Sequence, residues 1–181
     1  MNINMNDIFD FYENRIKCHV ESVNYFAGLL GYHFPEHDGD KIIEPIRTGY
    51  AYVFYNTYHK NFHLTDDMVS LCKDAHDMHH KHASHHIEAY TDIKDIPDVC
   101  LYEIVSDWAS ANFEQMNIIK DKDAVSLQEW FNKSVSKLDW NQHQLDIIKK
   151  SFDIFNNKTD TNKVKAIWQP LLEYADLSHC F

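Results

Sequence analysis

Along residues 6 to 31 an apolar residue returns every three or four positions, at Tyr12, Ile16, Val20, Val23, Ala27 and Leu30. That period matches one face of an α-helix and no face of a strand, whose side chains alternate every two residues. The segment therefore predicts a long amphipathic helix that must bury its stripe against other helices, and Gly31 is placed to stop it. Four glycines and four prolines in 181 residues leave little material for the many tight turns of an all-β fold.

The same period continues downstream. Tyr50, Phe54 and Tyr58 share a face within residues 46 to 62, and Thr65 followed by Asp66 and Asp67 makes a helix start. That start leads into a stripe of Met68, Leu71, Cys72, Ala75 and Met78, which His79 extends. Leu101, Ile104, Val105, Trp108 and Ala111 mark another helix, with Asp107 on the border of its stripe. A short helix is expected from Pro35 to near Pro45. Ser126 with Glu129 forms a capping-box pattern, and Asp139 is the expected cap of the next helix. "NNKTDTNK" reads as a polar loop, and the final helix, through Ala175, is expected to be interrupted by Pro170. The expectation is one all-α domain over residues 1–181, a bundle of six to eight helices.

The net charge of −11 argues against an extended nucleic-acid surface. It leaves a small anionic substrate possible, because a bound cation reverses the local potential. Cys18, Cys72, Cys100 and Cys180 have no Cys-x-x-Cys spacing and read as reduced thiols. With no signal peptide and no apolar run of about 18 residues, a soluble cytoplasmic protein is expected. The oligomeric state has no signature in the sequence.

Histidine is where the sequence departs from the ordinary. There are 13, and six of them lie between residues 76 and 86. His19 lies on the first apolar stripe, His37-Asp38 opens the short segment after it, and Asp107 borders a later stripe. Each belongs to a different expected element, so a helical bundle can bring them to one interior point. Imidazole and carboxylate suit Mn, Fe, Mg or Zn without any thiolate, and an Asp can bridge two ions through its two oxygens.

This order resembles the HD-domain superfamily of metal-dependent phosphohydrolases, whose signature is His, then His-Asp, then a distant Asp. The resemblance carries onto His19, His37, Asp38 and Asp107 as metal ligands. "HDGDK" is similar to the His-Asp-x-x-Lys of the cyclic-dinucleotide phosphodiesterase branch, which implies that Lys41 meets substrate phosphate. Residues 15 to 131 also resemble an uncharacterised family of phage and bacterial proteins. That likeness rests on the segments His37 to Glu44, His79 to Tyr90, Glu103 to Trp108, and Trp130-Phe131. Arg15 stands where some members with three metals carry an acid, so one or two divalent ions are implied.

Two of the six clustered histidines are expected at the site: His80, at the last turn of its helix, and His86, opening the next element. If the whole tract faces solvent, it is only a weak metal-binding surface. The chemistry expected is metal-assisted hydrolysis of a small nucleotide or other phosphate ester. Asp38 holds metal in that scheme, Lys41 faces phosphate, Glu44 orients Lys41, and Glu88 or Glu103 fixes histidine tautomers. Two other readings compete with it: an HD-type di-iron oxygenase, and a non-catalytic metal-binding or phage-type interaction protein.

Overall fold

The computed structural model describes residues 4–174, and these form an all-α bundle of seven α-helices without strands. Helix α1, Met5–Leu29, is the central element; α2 (Ile46–Tyr58), α4 (Asp98–Phe113) and α7 (Thr161–Tyr174) all pack on it. Helix α3 (Asp66–His82) lies against α2, and α6 (Gln142–Lys158) lies against α4. The short α5, Leu127–Ser134, sits between α4 and α6 in the chain. No described helix is long and apolar enough to cross a membrane.

Helix α1 contributes to two apolar clusters on different sides of the helix. Ile8, Tyr12 and Ile16 pack with Tyr50, Ala51 and Ala75 from α2 and α3. Phe11, Cys18 and Phe26 pack with Leu101, Ile104, Phe152 and Trp168 from α4, α6 and α7. Because α1 is apolar on both flanks, a polar side chain buried between them is costly unless another side chain satisfies it. His19 occupies that middle, on the same helix as the buried Arg15.

Thr65 caps α3 by accepting a hydrogen bond from the Met68 amide, and Ser126 caps α5 by accepting from Glu129. Four expectations are corrected. Residues 35–45 form turns and a 3-10 segment, Gly39–Ile42, rather than an α-helix, because Asp38 adopts a left-handed conformation at φ 60° that no helix continues. The cap of α6 is Asn141, in a reciprocal capping box with Gln144; Asp139 instead pairs with Lys94. Most of "NNKTDTNK" is helical, leaving Thr159 and Asp160 between α6 and α7. Helix α7 also runs through the exposed Pro170, held by the buried Trp168 and Leu171 on either side of it. Cys18, Cys72 and Cys100 are free thiols, while Ala175 and Cys180 lie outside the described residues.

Candidate metal centre

Asp38 is the hub of the site, and its backbone explains how. A left-handed residue without glycine's freedom costs about 1 kcal/mol, less for Asp than for most side chains. Here it turns the carboxylate inward at the end of a surface loop, where it is 2 % exposed. The two oxygens then face different histidines. Oδ2 lies 3.4 Å from His19 Nε2 and 3.7 Å from His37 Nε2. Oδ1 lies 3.3 Å from His79 Nε2 and 3.2 Å from His85 Nε2, while the Lys41 ammonium spans both oxygens, 2.9 Å from Oδ1 and 3.0 Å from Oδ2.

Asp107, from α4, closes the first side. Its Oδ1 lies 3.0 Å from His19 Nε2 and 3.6 Å from His37 Nε2. Four donor atoms from α1, the 37–38 turn and α4 are thus separated, across each His–Asp pair, by 3.0 to 3.7 Å. Ligands about 2.0–2.2 Å from a shared ion stand about 2.8–3.1 Å apart at right angles and about 3.3–3.6 Å apart in a tetrahedron, so the His19 spacings suit a divalent cation and the His37 spacings lie at the upper limit. The Nε2 of His37 is also buried without a hydrogen-bond partner, between the two carboxylates. Orphaned buried ring nitrogens are costly, and this one points where a cation is wanted.

The rings are oriented from behind. His37 Nδ1 lies 3.0 Å from Glu103, His79 Nδ1 lies 2.8 Å from Asp40, and His19 Nδ1 lies 3.3 Å from the Ser110 hydroxyl. In each case the outer nitrogen is anchored and Nε2 is turned to the centre, which is how ligating histidines are fixed. On the Oδ1 side, His79, His85 and His86 also converge, with His86 Nε2 only 2.8 Å from His79 Nε2. Two nitrogens at that distance need a proton or a cation between them.

The charges respond accordingly. Burial would raise the Asp38 carboxyl, but Lys41 and His37 beside it hold it well below the usual carboxylate range. Asp107 is lowered in the same way against burial by the His19 and His37 imidazoles beside it. Burial alone would lower His37; the Asp38 charge, the nearby Asp107 carboxylate and the Glu103 hydrogen bond outweigh it and raise His37 to about 10. His19 is lowered, by burial and by Arg15. Burial also pushes His86 down to about 2, which keeps its imidazole neutral.

His19, His37, Asp38, Asp107 and His86 are therefore brought together. His80 is not. One step along α3 from His79, it is turned about 100° away and stacks between His76 and His86, near Glu88. The position at the centre belongs to His79, with His85 beside it; the signal for His79 was its place on the α3 stripe, and His85 had none. Glu44 is corrected as well, because its carboxylate accepts from Thr48 and lies 3.7 Å from Arg47, not against Lys41. Lys41 is buried on Asp38 and over the Tyr50 ring, and it lines neither of the two grooves that reach the site.

Those grooves approach His37 and Asp38 from two sides. One, of about 900 Å³, runs along α1 between Ile16, Val20 and Ile42, with Lys17 and Arg47 at its border. The other, of about 520 Å³, lies beside His85 and Glu103. Among known proteins, a family model described as "Family of unknown function (DUF5662)" matches residues 9–167. No curated protein and no solved structure matches the chain.

Proposed function

The chain belongs to the DUF5662 family, whose function is unknown, and from its site we propose that it is a divalent-metal-dependent phosphohydrolase acting on a small phosphate ester. The observation that carries the reading is the unpaired, buried Nε2 of His37, facing two carboxylates whose spacing suits a shared cation. His19, His37, Asp38 and Asp107 would hold one ion. The other oxygen of Asp38, with His79, His85 and His86, would hold a second.

A divalent ion in such a site supplies Lewis acidity toward a phosphoryl oxygen and a lowered pKa for water. The protein's own groups do the rest. Glu103, Asp40 and Ser110 fix the imidazole tautomers. Burial of Asp38 and His37 excludes bulk water from the ligand atoms and strengthens their electrostatics. The larger groove falls in the size range of small-molecule sites, with Lys17 on its border and Arg47 there already paired with Glu13.

The test is metal analysis of protein made without a polyhistidine tag, followed by assays on nucleotides and phosphodiesters with Mn, Mg, Fe or Zn. One or two tightly held ions and metal-dependent release of phosphate or nucleotide are expected. Tight ions without cleavage under any metal would move a non-catalytic metal-binding role ahead. An iron-dependent oxygenase is the second reading, favoured by the excess of imidazole over carboxylate around Asp38. An oxygen-dependent absorbance change after Fe(II) loading would select it.

A further inference from the structure

Outside the buried centre a second donor set reaches the surface. His80 Nδ1 lies 3.4 Å from a Glu88 carboxylate oxygen, and His80, His86 and Glu88 each offer a ligand atom within 4.8 Å of the others. Two imidazoles and a carboxylate form a donor set that binds Zn-class ions while leaving positions open. His80 Nδ1 is buried and has no hydrogen-bond partner. The ring is nevertheless at the boundary, 22 % exposed, and Glu88 is 54 % exposed, so an ion reaches this set without passing through the core.

The arrangement is also continuous with the inner site. His76, His80 and His86 are stacked at centroid spacings of 3.8 Å, from the 55 % exposed His76 inward. His86 then meets His79 at 2.8 Å, and His79 meets Asp38. His86 is the one residue common to the outer set and to the inner set of His79, His85 and His86. A neutral imidazole has a single lone pair, so His86 serves one ion at a time unless it loses its second proton. A handover from the outer group to the inner one would require this ring to turn.

We propose that His80, His86 and Glu88 form an outer acquisition site for divalent ions of the Zn class, from which His86 hands the ion to the buried cluster. The acquisition site stands on its own geometry; the handover rests on the inner metal centre proposed above.

The experiment follows Zn²⁺ uptake by metal-free protein, by stopped flow against a chromogenic chelator, and counts the ions retained after gel filtration. The double variant His80→Ala/Glu88→Gln is expected to take up Zn²⁺ at least about tenfold more slowly, the scale on which loss of a supporting group weakens a metal site. It is expected to retain as many tightly held ions as the unaltered protein. Uptake at the unaltered rate overturns the proposal. Loss of a tightly held ion also overturns it, since His80 and Glu88 would then be ligands of the inner centre. A second pair of substitutions, Asp38→Asn/Asp107→Asn, separates this idea from the functional reading. Rapid, His80-dependent uptake that persists without tight retention supports the outer site. If the unaltered protein retains no ion while that rapid phase remains, the phosphohydrolase reading falls and the outer site stands. Absence of the rapid phase in every form removes the outer site.

Discussion

Lys41 brings an ammonium to 2.9 Å from the oxygen of Asp38 that faces His79 and His85, and to 3.0 Å from the other oxygen. A cation near either oxygen competes with the ammonium for the same lone pairs, so the role of Lys41 depends on metal occupancy. Without metal it is the main counter-charge of a fully buried carboxylate. Lys41→Met is therefore expected to destabilise the metal-free protein by about 2 kcal/mol. This is less than the ~3–5 kcal/mol of a broken isolated pair, because the imidazoles still contact Asp38. The loss is expected to shrink when Zn²⁺ or Mn²⁺ is present, and thermal melts with and without metal test this. An equal loss in both states would mean that Lys41 never shares its place with an ion. Neighbouring histidines separate just as sharply. His79→Ala is expected to lower tight metal content and His80→Ala to leave it unchanged, as read by metal analysis after gel filtration; the reverse order would place the centre elsewhere.

The elements carry their own constraints, and the closest is the crossing of α2 on α3. A Cβ at Gly49 would lie 2.4 Å from the Cβ of Ala75 and 2.6 Å from the Leu71 carbonyl oxygen. Alanine improves helix propensity by about 1 kcal/mol, but overpacking against backbone costs about 1–3 kcal/mol or more. Packing wins, so Gly49→Ala is expected to lower stability by about 1–2 kcal/mol in denaturant titrations, and a stabilised variant would contradict the crossing. At the other end of the site, α4 passes into a π-helical turn at Glu114–Ile119. Glu114 there meets the buried Arg15 at 3.0 Å and accepts a hydrogen bond from Tyr58 at 2.7 Å. This ion pair ties α1 to α4 four residues from His19, and it gives Arg15 a structural partner rather than a metal. Glu114→Gln strands the guanidinium and is expected to cost about 3–5 kcal/mol. For a chain of this size that is a melting point lower by roughly 10 °C; a change within a degree or two would show the pair to be dispensable.

Over the whole molecule, pH separates the metal-free protein from the loaded one. The folded value of His37, about 10, exceeds its ordinary 6.5, so its contribution to stability is full below 6.5 and is lost as pH rises toward 10. Asp38 and Asp107 are depressed, so their contribution is present above the ordinary carboxylate value of 3.8 and is lost only in acid. Metal ligation runs against the first trend, since it needs His37 without its proton. The gap in melting temperature between Zn²⁺-loaded and metal-free protein is therefore expected to widen from pH 6 to pH 9. Titration calorimetry in buffers of different ionisation enthalpy is expected to show proton release on binding. A gap independent of pH, with no release, would remove His37 from the ligand set.

Helix period, the Thr65 and Ser126 caps and the scarcity of glycine and proline determined an all-α bundle, because these signals are local and act within a few residues. The same periodicity placed His19 and Asp107 beside apolar stripes, hence indoors. Other features were decided only by the tertiary structure. The inward turn of Asp38 depends on a backbone conformation that its neighbours in sequence do not announce. The choice of His79 over His80 depends on which face of α3 meets α2 and the Asp38 loop. Lys41 took Asp38 rather than the groove because a buried carboxylate attracts the nearest cation. A local pattern states that a residue is buried; which charges it meets there is settled by elements tens of residues away, and electrostatic energy depends on distance in space rather than along the chain.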